Sequence, residues 1–137
     1  MQKRLVDNFL YSELTYKVRG AMYKVHRMLG SGHKESVYHK ALAKEFELQK
    51  IPYTTEKTLP VIYEGVRVGN YRPDFIIDDR VLIELKAVPI MPIQAESQLS
   101  YYLRGTSYKL GLLVNFGAKS LIIKRKIWDK ARRLNRQ

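Results

Sequence analysis

The chain contains no cysteine. That excludes disulfides, thiolate zinc sites, iron–sulfur clusters held by cysteine, and cysteine nucleophiles. It accords with a reducing compartment. Long apolar runs are missing too. No segment approaches the ~20 apolar residues that a membrane helix needs. The first stretch, "MQKRLVDNFLYSELTYKV", lacks the unbroken apolar core of a signal peptide. The expectation is a soluble, cytoplasmic protein with no membrane partner. Acidic residues are scarce: 13 Asp plus Glu stand against 25 Lys plus Arg, a formal net charge of +12. On so small a chain that excess concentrates polyanions at the surface and favours nucleic acid as partner. The alternative is a solvated basic surface that serves only solubility.

What is present suits one domain. The 137 residues and a hydrophobic share of 45% are enough for a single core, so residues 1–137 are expected to fold together. Leu14, Val18, Ala21, Met22, Val25, Met28 and Leu29 recur at steps of three and four. They predict a helix over 12–29, with Ser12 as N-cap and Gly30 as stop. A second helix is expected over about 34–49. From Tyr53 the chain turns β-branched and aromatic, with turn signals at Glu64-Gly65 and Asp78-Asp79, which predicts an antiparallel three-stranded meander. A third helix should start near Pro92 at its first position and run to about Thr106. "KLGLLVNF" reads as a buried strand, Gly117 as a turn and "SLIIK" as the last strand. Helices before and after such strands pack on the faces of one mixed sheet.

One stretch breaks its own pattern. In "YRPDFIIDDRVLIELKAV", Val81, Ile83, Leu85 and Ala87 fall on one strand face, and Leu82, Glu84, Lys86 and Val88 on the other. Glu84 and Lys86 therefore point the same way, about 6.6 Å apart along the strand. A hairpin turn at Asp78-Asp79 brings Asp74 near Glu84. Two adjacent carboxylates repel unless a proton or cation intervenes. A hard divalent ion such as Mg²⁺ takes such oxygens together with waters and phosphate. With Lys86 to orient a water or neutralise a phosphate, these are the components of phosphodiester hydrolysis. The same three residues also fit a structural ion pair, with Lys86 bridging Asp74 and Glu84 on a solvated sheet face.

Pro73-Asp74 followed by Glu84-Leu85-Lys86 resembles the PD-(D/E)xK nuclease superfamily. "GHKESVY", from Gly32 to Tyr38, has the G-x-x-E-x-x-Y pattern of its GxxExxY family, and Gln98 and Tyr102 match the Q-x-x-x-Y helix motif of RecB-like members. The resemblance covers about 30–116. It implies a restriction-endonuclease-like αβββαβ core, a mixed sheet flanked by helices, with an extra N-terminal helix. It implies a Mg²⁺- or Mn²⁺-dependent nuclease. Asp74 and Glu84 would be metal ligands, the Leu85 carbonyl a third oxygen, and Lys86 the catalytic lysine. Glu35 would extend the acidic cluster, and Gln98 and Tyr102 would support the site or substrate. Gln98 and Tyr102 share a helix face by their spacing. Glu35 in a first helical turn gains from the helix dipole whether or not it binds metal.

Other residues say less. Arg72 is placed to reach a phosphate, and an ordinary edge-strand charge is equally compatible. Lys124, Arg125, Arg132 and Arg133 have the charge to track a nucleic-acid backbone, and the same composition suits a solvated tail. His26, His33 and His39 form no ligand set and read as surface or capping residues, with His33 the one worth testing. The expected activity is cleavage of DNA, more than RNA. The rival is a catalytically silent nucleic-acid-binding module or accessory subunit. So small a domain needs further surface to grip a long substrate, and a homodimer is one way to supply it.

Overall fold

The computed structural model describes residues 10–128. In chain order these form α1 (Ser12–Leu29), α2 (Glu35–Leu48), β1 (Tyr53–Thr55), β2 (Leu59–Tyr63), β3 (Val66–Tyr71), β4 (Phe75–Ile77), β5 (Val81–Lys86), α3 (Ile93–Gly105), β6 (Leu110–Asn115) and β7 (Ile122–Ile127). The helices lie where the periodicity predicts them. Gly30 ends α1 with φ +74° and its N–H on the His26 carbonyl. Ser12 is not the cap: it is the first helical residue, and Tyr11 holds the cap position in the left-handed region. Pro92 likewise caps α3 rather than opening it.

The strands depart from the expected three-stranded meander. Five strands precede α3, and they divide between two sheets. The central sheet runs β1-β4-β5-β6-β7, antiparallel except for the parallel β5–β6 pair, which α3 connects as a crossover. β2 and β3 form a separate hairpin. The turn at Glu64-Gly65 closes it, with φ +49° and +76°. Positive φ at both central residues is what a tight type I′ turn requires. Asp78 and Asp79 meet the same requirement at φ +50° and +52°, between β4 and β5. Between the hairpin and β4, Pro73 has no N–H with which to extend the β4 ladder, and Val66 and Val68 of the hairpin are exposed.

The sheet is covered on both faces. On one, Val18, Met22, Leu42 and Phe46 of α1 and α2 pack on Phe75, Ile77, Val81, Ile83, Leu85, Leu110, Leu112 and Val114. On the other, Ala95, Leu99 and Leu103 of α3, with Leu59 and Tyr71 of the hairpin, cover Ile76, Leu82 and Leu113. Each such side chain taken fully out of water contributes about 2 kcal/mol. Gly111 lets α3 approach β6: a Cβ there would lie 2.8 Å from Leu99 Cδ1. This α/β architecture, with three helices among the described residues about a mixed sheet, is the one the sequence motifs imply. Among the described residues no helix is long and apolar enough to cross a membrane.

Candidate active site

The alternation in β5 does what it predicts. Val81, Ile83 and Leu85 are buried under α1 and α2, whereas Glu84 and Lys86 lie half-buried on the α3 side. β4 starts at Phe75, opposite Ile83, so Glu84, Leu85 and Lys86 run past its end. On their other edge they pair with β6, Glu84 with Leu113 and Lys86 with Asn115. The vacated edge would leave the Leu85 N–H without a ladder partner, a costly state for a buried residue. The Asp74 carboxylate fills that role: its Oδ2 accepts the Leu85 N–H at 2.8 Å. Asp74 is thereby tied to the strand that carries Glu84, level with Glu84 in the register.

Glu84 accepts a hydrogen bond on Oε1 from the Tyr71 hydroxyl at 2.5 Å. Tyr71 is buried and stacks on Tyr102 with ring centroids 3.6 Å apart and planes within 8°. Burial pushes the Glu84 carboxyl up to about 7. The Tyr71 hydroxyl opposes that rise, the Asp74 charge adds to it, and Lys86 and the Asp74 backbone N–H again oppose it. Burial beside Glu84 also raises the Tyr71 phenol well above its ordinary value, so it is a donor at any working pH.

Glu35 enters from the first turn of α2. Its environment is set by the loop before it, where the Tyr38 hydroxyl donates to the Gly30 carbonyl and accepts the His33 N–H at 3.1 Å. Tyr38 is itself buried and stacked on Phe116, at 4.8 Å between centroids. The tyrosine of the G-x-x-E-x-x-Y pattern thus pins the loop that presents the glutamate. Nothing crowds a Cβ at Gly32, and the structure gives no steric reason for that glycine. Partial desolvation raises the Glu35 pKa, Asp74 raises it further, and Lys86 and His39 oppose the rise. Glu35 and Glu84 therefore each feel the charges of Asp74 and Lys86. An open cleft of about 470 Å³ lies here, lined by Glu35, Ser36, His39, Lys40, Glu56, Arg72, Pro73 and Asp74.

The Lys86 amine forms no ion pair or hydrogen bond among the described residues, so the bridging Lys86 of the structural ion-pair reading is absent. Gln98 is exposed, and its amide reaches the Tyr102 hydroxyl at 3.4 Å rather than an acidic residue. Tyr102 meets the site through its stack on Tyr71. Arg72 lines the cleft but pairs with Glu56 at 3.4 Å. Lys124 is exposed, whereas Arg125 is half-buried and donates to the Leu10 carbonyl at 3.1 Å. Arg132 and Arg133 lie outside the described residues.

Two residues escaped the sequence reading. Tyr71 precedes Arg72-Pro73-Asp74 and looked like any strand aromatic. His39 looked like a surface histidine, yet it lines the cleft one turn after Glu35. Its Nε2 lies 3.3 Å from the Asp74 carbonyl oxygen, and its ring stacks on Phe75 at 4.4 Å. The i, i+4 spacing from Glu35 was the available signal. His33, expected to be the histidine of interest, instead packs edge-on against Tyr38.

Among the described residues no three His, Cys, Asp or Glu side chains converge tightly enough to form a ready metal cage. The donor set nonetheless fits a hard divalent ion. It is all oxygen, and Mg²⁺ commonly uses one or two carboxylates and leaves its remaining positions to water and substrate phosphate.

The family model of the PD-(D/E)XK nuclease superfamily matches residues 12–126. Among solved structures, the crystal structure of SSO0001 is similar, with a TM-score of 0.50 and 23% identity. The match covers 74% of this chain and 55% of that one, so this chain spans little more than half the length of that protein. At that identity the likeness speaks for the fold alone, which is restriction-endonuclease-like. No curated protein matches the chain.

Proposed function

The chain belongs to the PD-(D/E)XK nuclease superfamily, and from that premise we propose that it is a Mg²⁺- or Mn²⁺-dependent nuclease of the GxxExxY group, hydrolysing phosphodiester bonds in DNA. The observation that carries the reading is the Asp74 carboxylate on the Leu85 N–H. It joins Asp74 to the Glu84 strand past the end of β4, on the strand whose Lys86 amine forms no ion pair or hydrogen bond among the described residues. A residue's N–H and C=O point to the same edge of a strand, so the Leu85 carbonyl faces that gap as well.

In this reading Asp74 and Glu84 hold the ion, with the Leu85 carbonyl and Glu35 as further oxygens. The bound ion would supply positive charge to polarise the scissile phosphate and acidify the attacking water. Lys86, on the Glu84 face and without an ion pair among the described residues, orients that water and offsets charge developing on the phosphate. His39 and Tyr71 keep Asp74 and Glu84 in place. Arg72 and Lys40 lie along the cleft where a phosphate backbone would run. A homodimer would double that surface, and a monomer by light scattering discards that part of the proposal.

The test is hydrolysis of single-stranded, duplex and branched DNA with Mg²⁺ or Mn²⁺. Cleavage should require the ion and fall in Glu84→Ala by at least the ~100-fold that loss of an outer-shell partner alone can cost. Equal activity of the two proteins removes this site from the account. The net charge of +12 also suits a second reading, a nucleic-acid-binding module without turnover. Such a module would bind DNA with strong salt dependence and cleave none at any ion concentration.

A further inference from the structure

Tyr71 belongs to none of the sequence motifs, yet it makes the only side-chain hydrogen bond to Glu84 among the described residues. Three features set it apart from a packing aromatic. It is the last residue of β3, at the point where the hairpin leaves for Pro73 and Asp74. It is 5% exposed, and its ring lies flat on Tyr102 of α3. Its hydroxyl meets a carboxylate that is itself half-buried on the central strand.

We propose that Tyr71 is a positioning residue for Glu84, whose carboxylate it holds in the orientation that receives a divalent cation. The inference rests on the nuclease reading above. A carboxylate offers about four lone-pair sites. The Tyr71 hydroxyl occupies one on Oε1 and so fixes the rotation of the carboxylate plane, leaving others for the ion. The Tyr102 ring, stacked at 3.6 Å, keeps the phenol from swinging away. The tyrosine of the Q-x-x-x-Y pair thus acts on the site at one remove. Gln98, on the Tyr102 hydroxyl, stands a step further out.

Tyr71→Phe separates this role from packing, because it retains the ring, the stack and the buried surface and removes only the hydroxyl. Mn²⁺ binding would be measured by calorimetry and by loss of the free-ion EPR signal, on wild type, Tyr71→Phe and Glu84→Ala. DNA cleavage by the first two would be resolved into kcat and KM. Tyr71→Phe is expected to bind Mn²⁺ about 10-fold more weakly or worse. It should lose kcat with little change in KM, while its thermal midpoint stays near that of wild type. Saturable Mn²⁺ binding that Glu84→Ala abolishes and Tyr71→Phe leaves intact would overturn the positioning role and spare the nuclease reading. Failure of wild type to bind Mn²⁺ would overturn both.

Discussion

In the proposed site, Glu84 is the residue whose protonation state would couple stability to metal binding. Its pKa is about 7 in the fold against an ordinary 4.5, chiefly because burial disfavours the charge. A carboxyl raised by folding binds its proton more tightly in the native state. Its favourable contribution is complete below pH 4.5 and is lost as pH rises through 7, by at most about 3 kcal/mol. Glu35 shifts in the same direction. Without metal, Glu84→Gln should therefore be more stable than wild type, with the gap opening between pH 4.5 and 7 and flat above. Urea midpoints across that range measure it, and a gap independent of pH would mean that Glu84 is solvated. A bound cation reverses the balance by stabilising the ionised form, so Mn²⁺ should stabilise wild type most above pH 7. Residue types in the sequence already marked Asp74, Glu84, Lys86 and Glu35. They could not mark Tyr71 or His39, because the contacts these make with Glu84 and Asp74 come from a stack and a strand end that only the folded chain creates.

At the scale of elements, helix positions were legible because three apolar stripes of helical period leave little choice. The strand residues were legible too, but not their partners. Alternation assigns faces, and it left open that Leu59 to Tyr71 forms a hairpin apart from the central sheet. The junction at the end of β5 was also hidden. Asn115, the one polar residue besides Lys109 in "KLGLLVNF", is fully buried at the end of β6. Its Oδ1 accepts the N–H groups of Val88 and Gly117, both at 3.0 Å, and its Nδ2 donates to the Val88 carbonyl at 2.9 Å. One side chain thus satisfies the backbone where the chain leaves β5, two residues after Lys86. Gly117 is required there: a Cβ would sit 2.3 Å from the Val88 nitrogen. Asn115→Ala should cost about 3 kcal/mol, since it strands several backbone groups at once. Its effect on the denaturation midpoint should exceed that of Ser100→Ala, whose hydroxyl reaches Glu96 only at 3.5 Å. Equal effects would show that water replaces the Asn115 amide.

For the whole molecule, net charge predicts a polyanion partner but not which cations touch it, and the fold sorts them. Across the sheet Glu84 pairs with Leu113 and Leu113 with Lys124, so Lys124 shares the face of Glu84 two strands away, about 10 Å at the usual strand spacing. It is exposed and makes no ion pair among the described residues. Arg125, its neighbour in sequence, faces α1. Its guanidinium is committed to the Leu10 carbonyl, and burial lowers its pKa. Sequence alone made the two equivalent, because side-chain alternation separates them only once the faces of β7 are known. Every duplex phosphate that a protein cation neutralises adds about 0.9 to the steepness of log K against log salt. Lys124→Ala should flatten that slope by about this amount in a fluorescence-anisotropy titration of duplex DNA with KCl. Arg125→Ala should leave the slope alone and lower stability instead, because it removes the tie between β7 and the start of α1. If Arg125→Ala flattens the slope and Lys124→Ala does not, DNA lies on the α1 side of the sheet, away from Glu84, and the proposed active site is not where the substrate binds.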